Sequence, residues 1–122
     1  MAEKVWNYGG ASFTLDMDDV ETAERYDAAF QKMQAQFEEP DGAPEIAKIR
    51  TYCEAIRFLF DELFGEGTAE KLMGEKLNLA ACDDAYESFL TFVQAQTAER
   101  ENRHREMFSR FAPNRAARRA KK

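Results

Sequence analysis

A glycine-rich corner between two helical segments constrains the fold of this chain most strongly. Residues 60–79 combine an apolar helix end, Gly65 and Gly67 on either side of one acidic residue, and a short helical turn that Gly74 closes. Glycine ends helices because it adopts left-handed backbone conformations without steric cost. We therefore predict a shaped junction between two helices at this corner, in place of a loose linker.

Two residues of the corner have side chains suited to helix starts. Thr68 follows Gly67, and Asn78 precedes an apolar helical segment. Side-chain oxygens of Thr and Asn accept hydrogen bonds from the first free backbone N–H groups of a helix. We predict that Thr68 caps the short turn and that Asn78 caps the helix that follows.

The segment before Pro40 has the three- and four-residue spacing of one apolar helix face. Its acidic start, residues 16–19, supplies capping oxygens and negative charge for a helix N-terminus. The apolar positions are Val20, Ala23, Tyr26, Phe30, Met33 and Phe37. We predict a first amphipathic helix that ends before the turn-rich residues 40–44.

A second and wider apolar helix face follows Pro44, a residue that suits the first turn of a helix. The positions that share this face are Ile46, Ile49, Tyr52, Cys53, Ile56, Leu59, Phe60, Leu63 and Phe64. Phe58 falls on the opposite side of the helix, near Glu54 and Asp61. We predict a second long helix with Phe58 as an exposed aromatic residue and a candidate for partner binding.

The apolar face of the third long helix ends well before the helix does. Its apolar positions are Leu79, Cys82, Ala85, Tyr86, Phe89, Phe92 and Val93, and the same face then carries Gln96, Arg100, Arg103 and His104. We predict that the helix leaves the core after Val93 and continues as a solvated extension. Pro113 and Asn114 are expected to end it, and residues 115–122 to be disordered.

Three apolar residues return near the end of this extension: Met107, Phe108 and Phe111. They lie beyond the predicted core, so they either fold back onto the body or cover a partner. We consider them candidates for partner binding, as a short helix presented to a groove.

The N-terminal segment predicts a β-hairpin. Two short runs of β-favouring residues flank Gly9-Gly10, and Trp6, Tyr8, Phe13 and Leu15 alternate with smaller or polar residues. A hairpin at about residues 4–15 is marginal by itself in water. One face should therefore rest on the helices; the alternative is that it joins the sheet of another subunit.

Together these elements predict a mainly α fold of three long helices, a short helical turn and an N-terminal hairpin. The charge divides the chain: residues 100–122 carry nine Lys and Arg against two Glu, a net +7, and the first 99 residues carry eight basic and 21 acidic residues, a net −13. We predict a helical domain over residues 1–98 and a basic helical extension with a disordered tail over 99–122. The acidic body disfavours nucleic-acid binding.

The sequence offers no pattern of a catalytic, cofactor or metal site. Cys53 and Cys82 fall on apolar helix faces and are expected to be buried free thiols, with His104 far away along the chain. The sequence Gly65-Glu66-Gly67 is too short for a phosphate loop, and its acid would repel phosphate. We therefore expect no enzyme, no cofactor and no metal.

The sequence also predicts a compartment. No apolar run reaches the roughly 18 residues of a membrane span, and the start of the chain lacks the apolar block of a signal peptide. We expect the protein in the cytoplasm of the cell that makes it.

The corner and its flanks resemble a family of phage tail assembly chaperones from tailed phages and prophages of Gram-positive bacteria. The matching stretches are residues 53–56, 60–69, 71–74 and 76–79, and the likeness covers roughly residues 13–93. The hairpin, the Asp-rich start of the first helix and the long second helix also fit. The tail from Glu99 onward matches no part of that family's pattern.

The resemblance implies a role in the cytoplasm of a bacterial host, with the tape-measure protein and the tail tube protein as partners. Such a chaperone binds the long helical tape-measure protein, helps to recruit tube subunits and is absent from the mature virion. We expect that the protein can form a homo-oligomer and that the corner and the hairpin shape its assembly. The client would meet the face around Phe58 or the terminal patch at Met107, Phe108 and Phe111.

Two other functions fit the same sequence. One is a different prophage structural protein, such as a head-tail connector or a tube-associated protein, which would stay in the particle. The other is a small nucleic-acid-associated regulator that uses the basic segment from Arg100 onward.

Overall fold

The computed structural model of the protein describes the backbone of residues 2–120 and the side chains of residues 2–111. In chain order the elements are β1 (Val5–Tyr8), β2 (Ala11–Thr14), α1 (Val20–Gln36), α2 (Glu45–Phe64), α3 (Thr68–Met73) and α4 (Leu79–Ala120). The predicted fold class is confirmed: three long helices, one short helix and an N-terminal hairpin. None of the described helices is long and apolar enough to cross a membrane.

The two strands form the predicted antiparallel hairpin. Trp6 pairs with Phe13 across the ladder, so these two side chains share one face of the sheet. Gly9 and Gly10 have φ angles of 55° and 81°. A two-residue turn with positive φ at both positions matches the twist of the strands it joins, which explains the Gly-Gly pair.

The apolar face of the hairpin rests on the helices, as the sequence favours. The Trp6 side chain is 3% exposed, and its ring centroid lies 5.4 Å from those of Phe60 on α2 and Phe89 on α4. The indole N–H donates a hydrogen bond of 3.0 Å to the hydroxyl of Ser88. Trp6 therefore joins the hairpin to both long helices and leaves its polar atom satisfied.

α2 contributes more buried apolar residues to the core than any other element, and α1 packs against it. The buried residues of α2 are Cys53, Ile56, Leu59, Phe60 and Leu63. In α1 the buried residue is Ala29, whereas Tyr26, Phe30 and Met33 are only partly buried against the core. α1 therefore packs against the core, but most of its apolar side chains remain partly exposed to solvent.

The predicted exit of α4 from the core at Val93 is wrong. Gln96 lies on the same helix face and is 1% exposed, covered by the segment between β2 and α1. The face becomes polar there because it meets backbone groups of that segment, and these require hydrogen bonds. From residue 101 to residue 111 every described residue is exposed, so the solvated extension begins about two turns later than predicted.

The end of α4 also differs from the prediction. The helix continues through Pro113 and Asn114 to Ala120. A proline removes one backbone hydrogen bond and crowds the preceding turn, but this can bend a helix without ending it. Residues 115–120, for which the sequence predicts disorder, belong to this helix, and residues 121–122 lie outside the described residues. The division into a domain and an extension at residue 98 stays a prediction.

We predict that Trp6→Ala lowers the free energy of unfolding by about 3–5 kcal/mol, because it leaves a cavity between the hairpin and both long helices. Chemical denaturation followed by circular dichroism measures the change. Thr14→Ala, on the exposed face of the same hairpin, is the matched control and should change stability by less than about 1 kcal/mol. Equal effects of the two substitutions would show that the hairpin is not anchored through Trp6.

Candidate functional site

The terminal patch, defined here as Met107, Phe108 and Phe111, lies on the exposed part of α4. The three side chains are 42%, 60% and 65% exposed. The ring of His104 lies 5.9 Å from that of Phe108, one turn away on the same helix. The described part of the chain does not fold back over the patch, so these predicted partner candidates are free to meet another molecule.

Phe58, the other predicted partner candidate, is not an isolated exposed residue. Its side chain is partly buried, and its ring lies 5.5 Å from that of Phe37 at the end of α1. The prediction treated α2 as a helix with one packed face, but α1 covers part of the opposite side. Phe58 therefore packs α1 against α2, and its role as a partner contact stays a prediction.

A buried glutamine fixes the base of the extension to the N-terminal segment. The Gln96 amide N–H donates to the carbonyl oxygen of Leu15 at 2.8 Å, and its Oε1 accepts from the backbone N–H of Met17 at 2.8 Å. The same oxygen accepts from the Lys4 ammonium at 3.3 Å. With its amide matched in this way, Gln96 can be buried without an unsatisfied polar atom.

Charged side chains continue this anchor on the surface. Asp18 accepts hydrogen bonds from Arg100 at 3.2 Å and from Arg103 at 3.3 Å, and Lys4 lies 3.5 Å from the same carboxylate. The hydrogen bond from Arg103, with the positive charge of Lys4, holds the pKa of Asp18 below its usual range. Arg100 and Arg103, which belong to the basic segment 100–122 of the sequence, are thus paired with Asp18 just before α1.

The glycine corner has the predicted shape but a different capping residue. Gly65 has a φ of 110° and Gly67 a φ of 93°, in the region that favours glycine. The Thr68 hydroxyl donates to the Gly65 carbonyl at 2.7 Å, so it does not cap α3 as predicted. The Asp61 carboxylate takes that role by accepting from the backbone N–H of Ala69 at 2.8 Å. An acid one turn before a helix end can cap the next helix only when the corner is tight, which the sequence does not reveal.

The other end of the corner agrees with the sequence. Gly74, with a φ of 80°, ends α3, and its N–H bonds to the Glu70 carbonyl. The Asn78 side-chain oxygen accepts from the backbone N–H of Ala81 at 3.0 Å. The predicted cap of α4 is therefore confirmed.

The two cysteines are buried free thiols on α2 and α4, as predicted. Burial, and then a hydrogen bond with Cys53, raises the pKa of the Cys82 thiol to about 12. A thiol that stays protonated is a poor nucleophile and metal ligand. Among the described residues, no group of three His, Cys, Asp or Glu lies close enough to hold a metal ion.

A second surface feature, which the sequence did not reveal, lies beside α4 on its N-terminal half. We call it the acidic groove, an open cavity of about 520 Å³. Its lining residues are Tyr52, Asp83, Tyr86, Glu87, Leu90, Thr91 and Gln94. The Tyr52 hydroxyl donates to the Asp83 carboxylate at 2.7 Å, and burial followed by this bond raises the pKa of Tyr52. The groove thus combines apolar and aromatic surface with two carboxylates and no Lys or Arg.

These features describe a small helical protein with an anchored helix that presents apolar side chains to solvent. The chain belongs to the DUF6673 family, a family of unknown function, whose sequence profile matches residues 9–122. No curated protein and no solved structure matches the chain.

We predict that Gln96→Leu destabilises the fold although it adds apolar volume. The substitution leaves the Met17 N–H and the Leu15 carbonyl without a partner, and each buried unsatisfied group costs about 1–3 kcal/mol. Denaturant unfolding measures the loss. Gln94→Leu, on an exposed position of the same helix, should change stability by no more than about 0.5 kcal/mol; a stable Gln96→Leu protein would contradict the anchoring role.

We also predict a pH-dependent contribution from Asp18. Because its folded-state pKa is lowered, its carboxylate stabilises the fold above the unfolded value of about 3.9. That stabilisation is lost as the pH falls through the folded-state pKa. The difference in unfolding free energy between the wild type and Asp18→Asn should therefore be present at neutral pH and disappear in acid. Asp41→Asn, in the loop before α2, serves as the control for removing one acidic charge; a difference that persists unchanged in acid would contradict the prediction.

Proposed function

We propose that the protein is a phage tail assembly chaperone that binds the tape-measure protein and assists assembly of the tail tube. The observation that carries the proposal is the terminal patch: Met107, Phe108 and Phe111 are exposed on a helix that is anchored at its base. The likeness of the corner residues to such chaperones supports the same assignment. In this role the protein binds and releases a client and performs no reaction.

The size of the patch suits reversible binding. Complete burial of an exposed Phe or Met side chain contributes about 1.5–3 kcal/mol, and the three residues are already partly covered. After the cost of association, one copy binds a client helix weakly. Several copies along one long client bind it together far more tightly, and they can still leave one at a time.

The anchor of α4 supports the presentation of the patch. Gln96 and the pairs of Asp18 with Arg100 and Arg103 hold the base of the extension against the N-terminal segment. A helix held in this way loses less conformational freedom on binding than a free tail does. The net acidic charge of the body keeps copies soluble while they carry an apolar patch.

The proposed partners are the tape-measure protein and, through it, the tail tube protein, in the cytoplasm of a bacterial host. A chaperone of this kind leaves before the particle is complete. A head-tail connector or a tube-associated protein would remain, and mass spectrometry of purified virions separates these two functions.

The test is co-expression of the full chain with the tape-measure protein encoded beside it. We predict that the wild type keeps this client in the soluble fraction and co-purifies with it, and that the double variant Met107→Asp/Phe111→Asp loses both effects. Ile46→Asp is the matched control, because Ile46 is 76% exposed at the start of α2, far from the terminal patch.

Circular dichroism of each variant shows whether its helices are intact. The proposal is wrong if the client is equally soluble and unbound without this chain. It is also wrong if the patch variant, properly folded, binds the client as well as the wild type does.

A further inference from the structure

The acidic groove and the exposed end of α4 lie on the same side of one helix. Leu90 in the groove and Phe108 in the terminal patch are 18 residues apart, which is five turns at 3.6 residues per turn. Glu87, also in the groove, and Arg105 are again 18 residues apart. Each pair therefore lies along one line of the helix, with Glu87 and Arg105 on the same flank of the line from Leu90 to Phe108.

The two ends of this face have complementary chemistry. The groove end carries Asp83 and Glu87 around Tyr86 and Leu90, with no basic residue in its lining. The other end carries Arg105 beside Phe108, in a segment whose sequence is net basic from residue 100 onward. An acidic apolar groove thus faces the same direction as a basic apolar helix, about 27 Å along the axis.

We propose that two copies of this chain associate through this face with their α4 helices antiparallel, so that Phe108 of the terminal patch of each copy lies in the acidic groove of the other. A straight helix cannot bring its own two ends together, so the occupant must be a second molecule. A twofold axis that crosses α4 near residues 97–98 brings Phe108 within about one turn of Leu90 of the partner copy, and Arg105 within about one turn of its Glu87.

The charges favour this orientation over a parallel one. In a parallel pair the two acidic grooves would face each other, with Asp83 and Glu87 of both copies at close range. The antiparallel pair instead sets each acidic groove against a basic segment and forms both contacts twice. The middle of the face is polar (Gln94, Thr97, Glu101 and His104), so the apolar contacts lie at the two ends of the interface.

The association concerns the free protein and stands whether or not the chain is a tail assembly chaperone. If it is, the dimer covers Phe108 until a client helix takes its place. Leu90 belongs to the groove and lies outside the terminal patch, so Leu90→Asp distinguishes dimer formation from client binding. The substitution should weaken the dimer and leave client binding intact. Client binding that fails while the dimer forms would overturn the proposed function alone.

Sedimentation velocity of the full chain over a range of concentrations tests the dimer. We expect a species of twice the 14.0 kDa chain mass. Leu90→Asp and Phe108→Asp should each raise its dissociation constant by at least about tenfold, because each puts an unpaired charge into the apolar contact at both ends of the interface. Ile46→Asp is the control and should leave the constant unchanged. A chain that is monomeric at every concentration would overturn the inference, and so would a dimer that neither substitution weakens. A groove that holds a client helix and no second copy gives the first of these results.

A charge exchange tests the pairing of Glu87 with Arg105. Glu87→Arg and Arg105→Glu should each weaken the dimer. The double variant should have a dimer dissociation constant within about threefold of the wild-type value, since the two charges are then exchanged in both copies. A double variant as weak as the product of the two single effects would contradict the pairing.

Disulfide trapping tests the orientation directly, because both native thiols are buried. Positions 90 and 108 are about 27 Å apart in one chain, so a disulfide in Leu90→Cys/Phe108→Cys can only join two copies. We expect a covalent dimer from this double variant and none from Leu90→Cys alone. A covalent dimer from Leu90→Cys alone would indicate parallel helices and would overturn the antiparallel arrangement.

Discussion

The burial of Trp6 between the hairpin and the two long helices is the interaction on which the rest of the fold depends. Its ring lies within 6.0 Å, between centroids, of five other aromatic rings, two on the hairpin and three on α2 and α4. A two-stranded hairpin is not stable alone in water, and the helices need a cover for Phe60 and Phe89. Each part therefore supplies what the other lacks, and one residue joins them.

Gln96 adds specificity to this packing. An apolar side chain at that position would bury as well, but it would leave backbone groups of Leu15 and Met17 without partners. The Gln96 amide can make these hydrogen bonds in only one alignment of the N-terminal segment against α4. The surface pairs of Asp18 with Arg100 and Arg103 follow from that alignment and carry it two turns further along the helix.

The sequence predicted the elements of the fold well because each has a local cause. The Gly9-Gly10 turn, the apolar stripes and the Asn78 cap all act within a few residues of their own position. What it missed depends on contacts between distant segments: the burial of Gln96, the cover that Phe37 gives Phe58, and the cap that Asp61 gives α3. Each of these residues looks polar or exposed until another element is placed beside it.

The candidate sites divide in the same way. The position of Met107, Phe108 and Phe111 beyond the core could be predicted, since they follow a polar stretch, but the sequence left open whether they fold back onto the body. The structure shows them exposed. The acidic groove could not be predicted, because one of its walls is Tyr52 on α2. The helical spacing of α4 alone also does not indicate that Leu90 is exposed. The predicted end of α4 at Pro113 is wrong because a proline can bend a helix without ending it, so this local signal does not fix where the helix stops.

The two proposed uses of Phe108 are energetically compatible. The polar middle of the antiparallel face limits the apolar area that a dimer can bury, and surface charge pairs such as Glu87 with Arg105 add only about 0–1 kcal/mol each. A weak dimer protects the patch at the concentration of the free protein. A long client helix gains from many copies at once, so it can displace the partner copy without binding any single copy more tightly. The same exposed ring can therefore be covered by a second copy first and by a client later.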